Sequence, residues 1–141
     1  MYRELLKNEL QEGNLVLVKA YANSTPRFVI FQVVSVEENH INVKNYEVDD
    51  DKVLAKDFDF VLPLILTEDR LALLKLQDDE DKELDYNPEW KLYEFNGTKL
   101  AFNGVAMYPF NKEYDDLHGL MVKTKEPMMK YIHQIQNLLK I

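Results

Sequence analysis

Trp90-Lys91-Leu92-Tyr93-Glu94-Phe95-Asn96-Gly97-Thr98-Lys99-Leu100-Ala101-Phe102-Asn103-Gly104-Val105-Ala106-Met107-Tyr108 is a run of β-forming residues broken twice by Asn-Gly. Both central residues of a type I′ turn need positive φ, which Asn and Gly accept at least cost. The two pairs predict three antiparallel strands in a meander, with Leu120-Met121-Val122 as a candidate fourth. Beyond it, Pro127 suits a first helical position. Met128, Tyr131, Ile132, Ile135, Leu138 and Leu139 then form an apolar stripe. This predicts a C-terminal helix covering one face of the meander, with Lys130, His133, Gln134, Asn137 and Lys140 on its other side.

Working back from Trp90, residues 77–88 are densely acidic, with six acids against Lys82, and predict a linker. Upstream of it, Thr67 is a good N-cap, and Glu68 and Asp69 favour the start of a helix over Glu68 to Leu76. The first 66 residues read differently. Tyr2, Leu5, Leu6 and Leu10 recur at helical spacing and Gly13 supplies a stop. Asn14 to Tyr21, Arg27 to Val36, the alternating Ile41 and Val43, and Phe58 to Leu62 read as short strands. Turns at Asn23-Ser24-Thr25-Pro26 and Glu37-Glu38-Asn39, and a loop at Asp49-Asp50-Asp51, separate them. Short strands joined by tight turns predict a small SH3-like β-barrel. The expected class is α+β: N-terminal helix and barrel (1–66), helix and acidic linker (67–89), then meander with C-terminal helix (90–141).

The totals bound the chemistry. The chain has 141 residues, 46% hydrophobic and 30% charged, as one soluble domain or two small ones would have. It has no cysteine, which removes disulfides, zinc–thiolate sites and thiol nucleophiles. The first residues are too charged for a signal-peptide core, and the longest apolar run, Val61 to Leu66, contains Pro63. A cytoplasmic location in a host cell is the expectation. The net charge of −8 is local: Glu47, Asp49, Asp50 and Asp51 contribute −4, and Asp78 to Asp85 contribute −5. Such patches disfavour general nucleic-acid affinity and suit either solubility or a basic partner.

No catalytic pattern stands out. Ser24 and Ser35 lie outside any G-x-S-x-G turn, and His40, His118 and His133 are scattered. An EF-hand beginning at Asp78 would put Lys82 and Glu83 where an oxygen ligand and a glycine are required. The four glycines are not spaced for a phosphate loop. The expectation is therefore a protein that is not an enzyme and needs no cofactor or metal. The candidate binding residues are Asp49, Asp50, Asp51, Asp78, Asp79, Glu80 and Asp81 in the acidic patches. Tyr86 and Trp90, beside the linker, are candidate anchors. His133, Gln136 and Asn137 form a polar cluster on the last helix, read either as a recognition face or as an ordinary solvated side.

Three segments resemble a family of short uncharacterised proteins encoded by phages and prophages. Leu10-Gln11-Glu12-Gly13-Asn14-Leu15-Val16 is similar to its opening L-x-x-G-N-x-V. Pro63-Leu64-Ile65-Leu66-Thr67-Glu68 is similar to its P-I-P-L-T-E step, with Leu64 and Ile65 in place of Ile and Pro. Tyr131-Ile132-His133-Gln134-Ile135-Gln136-Asn137-Leu138 is similar to its closing Y-V-H-Q-L-Q-N-L. The resemblance implies a mobile-element origin and carries no catalytic residue. With the acidic patches, it makes a stoichiometric inhibitor of a host defence complex the first expectation, an anti-CRISPR protein in particular. The partner would be a host protein or ribonucleoprotein. A nucleic-acid-binding module built on the SH3-like barrel is the alternative.

Overall fold

The computed structural model of the protein describes residues 2–48, 51–78, 91–96, 98–110 and 128–141. The class is α+β, mostly antiparallel sheet with a few short helices. Contacts divide the chain into two units, Met1–Ile65 with Tyr131–Ile141, and Leu66–Lys130.

The first unit opens with α1 (Arg3–Glu9) and continues as β1 (Leu15–Ala22), β2 (Thr25–Val36), β3 (His40–Asn45) and β4 (Val53–Asp57). A 3-10 turn (Phe58–Phe60) leads into β5 (Val61–Pro63), and α2 (Ile132–Leu139) completes the unit from the far end of the chain. The sheet order is β4-β3-β2-β1-β5, antiparallel throughout. The β1–β2 turn is tighter than the sequence indicates. Asn23 (φ 51°) and Ser24 (φ 66°) form a two-residue turn, so Ala22 pairs with Thr25 and Pro26 falls inside β2. Pro26 is tolerated there because β3 joins β2 only from Phe31 onward. The register shift between Val33 and Ser35 marks a bulge.

Strand alternation sends Val16 and Val18, Phe31 and Val33, and Ile41 and Val43 to one interior, where they meet Leu6, Leu10, Phe58 and Val61. Burying a side chain of this size stabilises by roughly 1.5–3 kcal/mol, so the cluster is the main source of the unit's stability. Arg3 adds a link from α1 to the 3-10 turn, with its guanidinium 5.9 Å from the Phe58 ring centroid.

Two expectations for this unit change. The strand predicted over Phe58 to Leu62 begins as a 3-10 turn, because the Asp57 carboxylate accepts a hydrogen bond from the Asp59 N–H at 2.9 Å and bends the chain. The strand proper starts at Val61 and includes Pro63, paired with Val16. Strand β4 is one the sequence does not announce: its side chains alternate between exposed and half-buried, without the apolar density of a core strand. The paired strands stop at β4 on one side and β5 on the other, so the sheet is not closed.

In the second unit a 3-10 helix (Asp69–Leu74) precedes β6 (Gln77–Asp78), β7 (Lys91–Phe95), β8 (Thr98–Phe102) and β9 (Met107–Phe110). They form an antiparallel sheet in sequence order. The expected meander is present, and Gln77–Asp78, which charge alone assigns to the linker, adds an edge strand to it. The helix expected over Glu68 to Leu76 is shorter and of 3-10 type. Its buried residues Leu71 and Leu74 lie three apart, a spacing that such a turn aligns, and Lys75 (φ 53°) ends it. At the first Asn-Gly pair, Asn96 takes positive φ, 47°. At the second, the Asn103 carboxamide accepts from the N–H groups of Val105 and Ala106, making a longer side-chain-capped loop. Leu100, Ala101, Phe102 and Met107 are buried, and Met107 and Met129 exchange two backbone hydrogen bonds of 2.9 Å.

The last helix also departs from expectation. Met129 and Tyr131 are extended and bridge to Met107 and Ile65, which delays the helix to Ile132. Its side-chain partners within the first unit lie in α1 and the 11–15 segment. Residues 79–90 and 111–127 lie outside the described residues, and with them most of the linker, the candidate strand Leu120-Met121-Val122 and Pro127.

Candidate functional site

The C-terminal helix buries the side that holds its polar cluster. Ile132, His133, Ile135 and Gln136 are its buried residues. His133 is 0% exposed, and its Nε2–H donates to Glu9 Oε1 at 2.7 Å. The Glu9 side chain at the end of α1 keeps 37% exposure and also accepts from Gln134 Nε2 at 3.1 Å. The His133 ring stacks on Tyr131, with centroids 5.7 Å apart and planes 9° from parallel.

Below this pair the helix completes the turn between α1 and β1. Asn137 Nδ2 donates to the Glu9 carbonyl at 2.8 Å, and Asn14 Nδ2 donates to Asn137 Oδ1 at 2.8 Å. Asn14 Oδ1 accepts from the Gln11 N–H, also at 2.8 Å. Gln136 Oε1 accepts from the Leu15 N–H at 2.8 Å, and its Nε2 donates to the Gly13 carbonyl at 3.3 Å. Gly13 sits at φ +92°, a conformation that costs glycine little and other residues more. These bonds satisfy the last carbonyl of α1 and backbone groups of the turn that follows it. Three segments far apart in the sequence therefore meet in one place. Gly13 and Asn14 bond to Gln136 and Asn137, and the Leu64 carbonyl accepts from the Ile132 N–H at 2.9 Å.

Burial holds the His133 imidazole below the usual histidine value, against the opposing hydrogen bond and charge of Glu9. Burial, then Tyr2, then the charge of Glu9 raise the Tyr131 hydroxyl. With Nε2–H given to Glu9, Nδ1 carries the lone pair, and it has no hydrogen-bond donor among the described residues. A histidine–carboxylate pair can activate a nucleophile, but here no described hydroxyl reaches Nδ1 and the ring is sealed from solvent. Among the described residues no group of three or more His, Asp or Glu side chains could hold a metal ion.

His133, Gln136 and Asn137 are thus drawn together, as the polar lining of a helix-to-turn contact. Asp51 is exposed, and Asp78 lies in edge strand β6. Asp49, Asp50, Asp79, Glu80, Asp81, Tyr86 and Trp90 lie outside the described residues. Sequence reasoning misses Glu9 and Asn14. The available signal is the break in amphipathicity at His133 and Gln136, two polar residues among buried isoleucines.

The exposed features lie elsewhere on the first unit. One groove of about 420 Å³ is lined by Lys19, Tyr21, Lys56, Asp57 and Phe60, among others. A second, of about 370 Å³, runs beside Tyr46, Glu47, Val48 and Asp51. Tyr21 is 60% exposed, Phe28 51%, Val48 57%, Val53 50% and Phe60 42%; Tyr21 and Phe60 line the first groove and Val48 the second. Phe28 pairs with Lys19, two residues from Tyr21, which puts all three on one face. No helix among the described residues is long and apolar enough to cross a membrane. The chain matches no known protein family, no curated protein and no solved structure.

Proposed function

We propose that the protein acts by stoichiometric binding, its partner a host protein or nucleoprotein complex. The observation that carries this reading is the set of large apolar side chains left in water on the first unit: Tyr21, Phe28, Val48, Val53 and Phe60. Exposed apolar side chains that neighbour one another, as Tyr21 and Phe60 do in the first groove, mark interaction sites. Glu47 and Asp51 outnumber Lys44 along the second groove, and the net negative rim suits a basic surface. The order of elements supports an SH3-like reading of the first unit: four antiparallel strands, a 3-10 turn, and a fifth strand returning to the first. The narrower form of the proposal is an inhibitor of a host defence complex, an anti-CRISPR protein in particular. The phage-like segments and the acidic patches support it.

Affinity capture from host lysate, with wild type and a variant in which Tyr21, Phe28 and Phe60 are all Ser, tests the general reading. A protein or ribonucleoprotein retained by wild type and lost by the variant, with circular dichroism unchanged, supports it. Identical capture by both removes it. Co-expression with an active CRISPR effector tests the narrower form, and undiminished interference would remove that form alone. Lys19 and Lys56 beside Tyr21 favour a second reading, a nucleic-acid-binding module. Retention on single-stranded oligonucleotides that weakens with salt would support it.

A further inference from the structure

The groove around Tyr21 and Phe60 lies where the five-stranded sheet fails to close. Strand β5 is short and pairs with β1 only in the register Val16–Pro63, Leu17–Leu62 and Val18–Val61. Among the described residues, 19–22 of β1 have β2 on one side and no strand on the other. Strand β4 is likewise paired only with β3. The groove is lined from both of these edges, by Lys19 and Tyr21 from β1 and by Lys56 and Asp57 from β4, with Phe60 from the 3-10 turn. Unpaired edge strands present rows of N–H and C=O groups that accept another strand.

The charges are unbalanced in the same place. Lys19 lies over the Tyr21 ring, 5.5 Å from its centroid, and neither Lys19 nor Lys56 makes an ion pair among the described residues. The Asp57 carboxylate caps the 3-10 turn and keeps its charge, so the groove holds two lysines against one acid. The geometry points to an extended, acidic segment of a partner protein as the occupant, adding as a strand to β4 or to the end of β1. Its carboxylates meet Lys19 and Lys56, and its apolar side chains meet Tyr21 and Phe60. Unpaired backbone edges favour a peptide over a nucleic acid, whose bases and phosphates do not continue a strand ladder. This inference rests on the binding function proposed above and names the partner's chemistry.

The test uses the full chain and a labelled peptide of roughly ten residues, the length of a long strand, built of Glu-Thr-Val-Thr repeats so that Glu and Val follow one another on the same face. Fluorescence anisotropy is expected to show saturable binding, weakened about tenfold or more in the double variant Lys19→Glu with Lys56→Glu. The same peptide N-methylated at alternate amides, prepared in both registers, is expected to lose affinity in one of them. Amide chemical shifts are expected to move at 19–21 and 55–57. Equal binding by both N-methylated peptides and the parent, or no effect of charge reversal, overturns the proposal. So does tighter binding of a single-stranded oligonucleotide that displaces the peptide, or light scattering that shows a second copy of the chain occupying the edge. If the peptide fails while a host partner is still captured through Tyr21, Phe28 and Phe60, this inference falls and the binding function stands.

Discussion

Replacing His133 by Ala and by Phe separates what the imidazole fills from what it bonds. His133 is 0% exposed, so truncation to Ala leaves a cavity in a site that has little room to collapse. Large-to-small changes of this kind cost about 2–4 kcal/mol. The bond from Nε2 to Glu9 adds less than its 2.7 Å length suggests, because Glu9 is 37% exposed and water replaces the lost donor. Its share is about 1 kcal/mol. His133→Ala is therefore expected to lose about 3–5 kcal/mol. Phe keeps a flat ring against Tyr131 and removes the unpartnered Nδ1 but is somewhat larger, so His133→Phe is expected to cost less than the Ala variant, about 1–2 kcal/mol. The two also differ in acid. Burial lowers the folded-state value of His133 below the ordinary 6.5, so the unfolded chain takes up its proton first as pH falls. The stability that neutral His133 contributes is complete above that ordinary value and is lost as pH falls toward the folded one. Carboxylates titrate in the same direction at lower pH, and the Phe variant supplies the reference for them. Urea unfolding at about pH 7.5 and about pH 5.5 should show a larger loss in wild type than in His133→Phe. Equal losses in the two proteins, or a cost below about 1 kcal/mol for His133→Ala, would refute the reasoning.

Other substitutions probe the same seam and the second unit. Asn14→Ala strands the Gln11 N–H and Asn137 Oδ1 and is expected to cost about 2 kcal/mol, with a non-additive cycle against Asn137→Ala in urea melts. Gln136→Leu leaves the Leu15 N–H without its acceptor; a loss of about 1–3 kcal/mol and faster hydrogen exchange at Leu15 are expected. At Gly13 a Cβ meets nothing within 4 Å, so Gly13→Ala is expected to cost only the positive-φ strain, about 1 kcal/mol by thermal unfolding. Leu100→Ala opens the core of the second unit and is expected to lose about 3 kcal/mol in calorimetry.

The fold is most legible in the sequence where side-chain periodicity and backbone demand agree. The meander from Lys91 to Phe110 and strands β1 to β3 follow from alternating apolar residues and from turns that need Asn, Ser or Gly. It is less legible where a tertiary contact overrides the local pattern. Tyr131 belongs to the helical stripe, yet its backbone is extended and bridges to Ile65. Strand β4 is half exposed and carries few of the residues that mark a core strand. The polar residues of α2 are visible as a cluster, but their partners Glu9, Gly13 and Asn14 lie more than a hundred positions away, beyond the reach of periodicity. The groove is hidden for a related reason: Lys19 and Lys56 become neighbours only once the strands between them have paired.

Glu9 and His133 are 124 positions apart, and the unit they close is built from both ends of the chain. At synthesis rates of about 5–20 residues per second, on the order of ten seconds separate the emergence of one from that of the other. Through that interval the nascent sheet holds Leu15 and Gly13 without Gln136, and the underside of α1 without the imidazole. A polypeptide halted short of Ile132 would keep these groups without the partners that the helix supplies.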